Sequence, residues 1–185
     1  MGDLVLSVVF INEGTVSISS SGSIQGYGGV SAVNNGTGSL DVTVTGAVTA
    51  TGSQGIYAQS RGIFGRTLTV NAASVSGATA GIYAYNSGQG STSITATGLV
   101  TAAGPNAVAG IFAMNDNSSS VGDLTVKATS ASGGLYGVGA FNYSNYNRGA
   151  TNVTMTGDAN GSLAGIAAIN GQVIRSNVET ETSLW

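Results

Sequence analysis

Any acid–base or metal chemistry in this chain must come from eight acids and five bases, because it contains neither cysteine nor histidine. The acids are Asp3, Glu13, Asp41, Asp116, Asp123, Asp158, Glu179 and Glu181, and the bases are Arg61, Arg66, Lys127, Arg148 and Arg175. Disulfides are thereby excluded, as are thiolate or imidazole metal sites and the usual Cys-His and Ser-His nucleophilic pairs. A polysaccharide hydrolase or lyase needs two or more carboxylates converging on a sugar, or a calcium cluster beside a base. Asp116 and Asp123 share a corner with Asn115 and Asn117. Solvated capping side chains are the simpler expectation there, ahead of a weak cation site. Asp41 has Thr69, Thr95 and Thr125 in the corresponding later slots, so no carboxylate column is expected. No catalytic, metal or cofactor-binding residue is assigned, no cofactor is expected, and the chain reads as a non-enzyme.

Two outward features could meet a partner. Tyr57, Tyr83, Tyr85, Phe112 and Phe141 recur at related positions, with Tyr143 and Tyr146 just after the last of them. Exposed rings are economical contact residues for carbohydrate or protein, which makes the first five the candidate ligand-contact residues. Stacking between neighbouring turns that merely stabilises a sheet is the stronger expectation for them. The second feature is a set of pairs, Thr43 with Thr45, Thr95 with Thr97 and Thr154 with Thr156. A flat threonine plane would suit ice binding, but Asn71 and Lys127 interrupt this one, and threonine is in any case a good exposed strand residue.

The elements that carry these residues repeat. Six phrases begin at Gly29, Gly55, Gly81, Gly110, Gly137 and Gly165, steps of 26, 26, 29, 27 and 28 residues, as in Gly81-Ile82-Tyr83-Ala84-Tyr85-Asn86. Such a period marks stacked units that bury their faces against their neighbours. Within a phrase Ile82 alternates with Ala84, Ile111 with Ala113, Val138 with Ala140 and Ile166 with Ala168, while Tyr83, Phe112, Gly139 and Ala167 vary. Period two predicts a strand with the aliphatic parity inside. A second strand follows each phrase, as in Leu40–Thr45, Leu68–Val70, Ile94–Thr97, Leu124–Val126 and Val153–Thr156, and Val16–Ser19 fills that slot before the first phrase. A third apolar spot comes next, at Ile24, Val48, Val75, Val100, Ala131 and Ala159.

Three short strands per coil and about six coils predict an all-β parallel β-helix, a rod of about 30 Å at the ~4.8 Å strand spacing. Gly22, Gly46, Gly98 and Gly157 mark corners where positive φ is expected. Asn34, Asn86, Asn115, Asn142 and Asn170 end five phrases, with Ser60 in the remaining one, and are expected to stack, their amides bonding from turn to turn and satisfying backbone groups at the corner. Helical solenoids fail on composition, since no segment carries a sustained 3.6-residue apolar stripe.

The alternation of Gly-Ile-Tyr-Ala-Tyr-Asn at 81–86 with Ser-Ile-Thr-Ala-Thr-Gly-Leu-Val-Thr at 93–101 closely resembles the repetitive passenger regions of Gram-negative autotransporters, the type V secretion adhesins. The resemblance covers roughly residues 14 to 170. It implies a right-handed parallel β-helix displayed at a cell surface or secreted, acting as a structural or adhesive module by weak repeated contacts with glycan or host surface protein. The family's C-terminal outer-membrane barrel is not seen in this sequence, so other coils of a longer passenger are a further expected partner. The competing readings are a tailspike-like or lyase-like glycan-degrading β-helix and, less favoured, an ice-binding solenoid.

Composition agrees with an uncharged packed rod. Only 7% of residues are charged, the net charge is -3 and the bases are scattered, which excludes nucleic acid as a partner. Apolar residues make up 42%, too many for a disordered tail. The run Leu4–Ile11 follows Asp3 with no base before it, a poor signal peptide and too short to span a membrane. The expected organisation is an opening strand or cap over 1–13, repeats over 14–170, and a terminal strand or cap over 171–185. In that last segment Glu179 and Glu181 would guard an edge, and Leu184 and Trp185 would plug the core.

Overall fold

Aliphatic residues at every second position, many of them β-branched, favour a pleated backbone with one dry face. The computed structural model describes residues 6–10, 14–116, 122–143 and 149–171, and over these the chain is an all-β parallel solenoid. It opens with β1 (Leu6–Phe10). Three turns of three strands follow: β2 (Val16–Ser20), β3 (Ile24–Gly26) and β4 (Val30–Asn34); β5 (Leu40–Val44), β6 (Val48–Ala50) and β7 (Ile56–Ser60); β8 (Leu68–Ala72), β9 (Val75–Gly77) and β10 (Ala80–Asn86). In the next two turns the second and third strands fuse, giving β11 (Thr92–Ala102) with β12 (Ala109–Asp116), then β13 (Leu124–Ser132) with β14 (Tyr136–Tyr143). They separate again as β15 (Thr151–Met155) and β16 (Ala159–Asn160) before β17 (Ala164–Gly171).

The phrase strands stack in a seven-stranded sheet, β1-β4-β7-β10-β12-β14-β17, and the remaining ten strands form the other sheet. Six phrases are six rungs, so from β4 to β17 they enclose about five turns, in line with the expectation of about six coils. The three-strand coil needs correction at β11. That strand runs through the corner with only a register irregularity between Ala96 and Leu99, instead of breaking there.

Register confirms the predicted parity. Val30, Ile56, Ile82, Ile111, Val138 and Ile166 form one inward column, and Ala32, Ala58, Ala84, Ala113, Ala140 and Ala168 form the next. Both columns are fully buried as far as β14. On the other sheet Ile24, Val48, Val75, Val100, Ala131 and Ala159 align one per turn, as the third apolar spot predicts. Burying each Val, Leu or Ile is worth about 1.5–3 kcal/mol, which is how strands of three to five residues hold.

Two alignments read from sequence are wrong. The column of Leu40, Leu68 and Leu124 continues through Thr92 and Thr151, so the strands there begin two residues earlier than their aliphatic residues advertise. Thr92 is buried and donates its hydroxyl to Asn115 Oδ1, which makes a threonine tolerable inside. With that shift, Ser93 stands beside Thr69 and Thr125 in the Asp41 column, and Thr95 belongs to the next outward column.

Of the four corner glycines, Gly46, Gly98 and Gly157 answer to contact and not to handedness, while Gly22 has open space around it. None of Gly22, Gly46, Gly98 and Gly157 adopts a left-handed φ. A Cβ on Gly46 would instead collide with the Gly22 carbonyl, and one on Gly157 would lie 2.7 Å from Ser130 Oγ. The phrase glycines follow the same logic toward the following turn. A Cβ on Gly29 would strike the Gly55 oxygen, and on Gly55, Gly81, Gly110 and Gly137 it would lie 2.7, 2.6, 2.9 and 2.6 Å from the oxygen of the next phrase glycine.

The asparagines do align, with Ser60 between Asn34 and Asn86, but their amides bond backbone carbonyls and not one another. Asn34 Nδ2 donates to Gly38 and Ser39 at 3.1 Å in its own corner and to Gly14 at 3.2 Å in the previous turn, while its Oδ1 accepts the Gly36 N–H at 2.8 Å. Where Ser60 is too short to reach, the Gly65 N–H donates to the Gly62 carbonyl at 2.6 Å and tightens the corner from within. Asp3, Glu13, Asn117, Tyr146, Arg148, Arg175, Glu179, Glu181, Leu184 and Trp185 lie outside the described residues.

Candidate ligand-contact face

On the outer face of the phrase sheet, register sets Tyr57, Tyr83, Phe112 and Gly139 in one column. Rungs one strand spacing apart bring flat side chains into contact, and the rings stack: Tyr57 on Tyr83 at 5.4 Å between centroids and 15°, Tyr83 on Phe112 at 5.3 Å and 5°. Phe141 does not stand in that column. It belongs to the adjacent one, with Gln59, Tyr85 and Met114. Its ring crosses over Gly139 to meet Phe112 at 5.3 Å and 41°. Only a glycine allows this, since a Cβ there would lie 2.8 Å from the Phe141 ring. Tyr143 then stacks on Phe141 at 6.0 Å and 10°, and Tyr136 meets it edge-on at 5.8 Å.

The five candidate residues therefore split. Tyr57, Tyr83 and Phe112 are half-buried members of the ladder, and Phe141 is a buried joint at 7% exposure, which corrects the expectation of an exposed ring. Tyr85 stands outside the ladder and donates its hydroxyl to Asp116 Oδ2 at 3.0 Å, across one turn. Burial first, then that hydrogen bond and the Asp116 charge, push the Tyr85 hydroxyl up from 10.0 to about 12, with Arg61 opposing. Burial, followed by the neighbouring Tyr57, also raises Tyr83. The Tyr57 hydroxyl is held by Gln59 Oε1. Sequence reading missed Gln59, Tyr136 and the role of Gly139. Only the unusual glycine in a column of rings signalled the last of these.

Face-to-face stacking uses up the ring faces. What the ladder offers outward is ring edges, so a sugar could lie flat only at its ends. The two corner acids are engaged separately: Asp116 receives the Tyr85 hydroxyl, and Asp123 Oδ1 receives the Ala150 N–H at 2.7 Å. Among the described residues no group of three or more acids converges.

The other sheet presents the outward column Ser19, Thr43, Asn71, Thr95, Lys127 and Thr154, with the interruptions where the sequence places them. Here a shallow groove of about 310 Å³ opens over Asn71, walled by Thr43, Thr45, Thr95 and Thr97. Compared with protein-family models, curated proteins and solved structures, the chain matches none of them.

Proposed function

We propose that the chain is a non-enzymatic structural and adhesive module of the kind that autotransporter passengers display at a Gram-negative cell surface or release from it. The ladder from Tyr57 to Phe141 carries this reading. It gives one face of a rigid solenoid a continuous apolar strip over four rungs, about 14 Å along the axis. Ring edges along such a strip make contacts with glycan or surface protein that are weak singly and additive in number. The carboxylates of Asp116 and Asp123, each engaged by a different donor, support the non-enzymatic part.

The test is an array of glycans and matrix proteins. Weak retention is expected, reduced in Tyr83→Ala with Tyr85→Ala, and retention indifferent to that pair would remove the ladder from the reading. Polysaccharides incubated with the protein should be returned uncut. Reproducible cleavage abolished by Asp116→Asn or Asp123→Asn would replace the reading with a glycan-degrading one.

A further inference from the structure

The groove on the ten-stranded sheet has a specific origin. In the corner after the second strand, Thr45, Ala73 and Thr97 occupy successive turns, and the Ala73 N–H donates to the Val44 carbonyl while the Gly98 N–H donates to that of Ala73. A single methyl between two threonines leaves a notch. One position earlier on the same face, Asn71 stands between Thr43 and Thr95 and donates to Thr43 Oγ1 at 3.4 Å, a long and weak bond that leaves most of the amide's capacity unspent. About 310 Å³ lies at the lower limit of small-ligand sites.

We propose that this groove binds a neutral oligosaccharide, with Asn71 as its polar anchor. It rests on the adhesive reading and names a ligand class for it, on a face separate from the rings. The groove offers four threonine hydroxyls and one primary amide over a mostly apolar lining that includes Val44, Ala72 and Ala73, with no charged group, which matches a ligand made of hydroxyls and C–H faces. An amide presents donor and acceptor side by side, as adjacent sugar hydroxyls do. The walls come from the rungs of β5, β8 and β11, so threonine hydroxyls on the outer two stand about 10 Å apart with the Asn71 amide between them, room for two sugar units in an extended chain. An acidic glycan is disfavoured because its carboxylate would meet no base inside the groove. Lys127 lies one rung beyond Thr95, outside the lining.

The experiment titrates ¹⁵N-labelled protein with neutral gluco-, manno-, galacto- and xylo-tetrasaccharides and with tetragalacturonate, following amide shifts. At least one neutral tetrasaccharide should shift Thr43, Thr45, Asn71, Ala73, Thr95 and Thr97 with millimolar affinity, and tetragalacturonate should bind more weakly. Asn71→Ala should weaken binding about three- to tenfold, one hydrogen-bonding group's worth. Ala73→Leu, which fills the notch on an outer position, should abolish it, with unchanged spectra elsewhere showing that the fold is intact. Lys127→Thr should leave affinity for the neutral sugar unchanged or raise it; a loss would mean that the charge holds an anionic ligand and would overturn the neutral assignment. No shift with any neutral tetrasaccharide, or shifts that map to the rings, also overturns it. Array retention that survives Asn71→Ala but falls with Tyr83→Ala would sink the groove and leave the adhesive reading standing.

Discussion

The two outer faces of the solenoid are built at the same rung spacing from the same alternation, yet they spend their side chains differently. On the phrase sheet, Tyr57, Tyr83, Phe112 and Phe141 satisfy one another along the axis, and the strip is half dry before any partner arrives. On the ten-stranded sheet, Thr43, Asn71 and Thr95 face water with a single long hydrogen bond among them. One face is cross-braced and the other is available. The lesson is that an outward column in a parallel stack is not automatically a binding surface, because flat side chains one strand apart find each other first.

That contrast can be broken in stages. The largest effect should come from Ala113→Trp, behind both faces: the Ala113 column is fully buried at one residue per turn, and overpacking it should cost about 3 kcal/mol or more, preventing folding. A cooperative, near-parental denaturant curve for that variant would mean the interior is not what carries either face. Next comes Tyr83→Ser, which removes two stacked neighbours at once and should cost about 2 kcal/mol in the same titration. Gly139→Val should cost about 1 kcal/mol, because the added side chain pushes the Phe141 ring off Phe112, and near-ultraviolet circular dichroism should report the lost stack.

Alkali sharpens the contrast differently. The folded state keeps Tyr85 protonated to about pH 12 against an ordinary value of 10.0, so its contribution to stability is complete below pH 10 and lost as pH rises through 12. Tyr83 acts in the same direction. Tyr85→Phe should flatten that limb of the stability curve, and an unchanged slope would detach Asp116 from the tyrosine. The smallest effect belongs to the open face: Thr95→Val should move stability by no more than about 0.5 kcal/mol. If it costs as much as Tyr83→Ser, the two faces are equally braced and the distinction fails.

Most of the architecture was legible because period two and a repeated phrase are both properties of side-chain type. The inward columns of Ile82 and Ala84, and the third apolar column from Ile24 to Ala159, came directly from alternation. The errors arose where a residue's type contradicts its place. Thr92 and Thr151 are polar residues in an inner column, so each strand start was set at the first aliphatic residue instead. Positive φ at the corner glycines was inferred from local propensity, whereas at Gly46, Gly98 and Gly157 the constraint comes from the adjacent turn, which a linear reading does not see. The candidate face was half legible for the same reason. The rings were visible, but that Phe141 changes columns over Gly139 depends on a neighbour 29 residues earlier, Phe112.

The phrase glycines have a consequence for how such an array can change length. Each of the first five leaves a void that the carbonyl of the following phrase glycine occupies, and at Gly29, Gly55 and Gly81 the side chains of Val48, Val75 and Val100 close in beside it, so the requirement passes from unit to unit through the backbone and the third apolar column. Cutting and rejoining at these glycines therefore preserves the glycine-to-carbonyl contact at the junction, and copy number can drift by recombination within the gene with little refitting of the interior. We hypothesise that a chain lacking residues 81–109, in which Gly110 follows Ala80, folds as a shorter rod with the same cooperative transition and a smaller unfolding heat. Failure of that chain to fold would show that the units have individual identities after all.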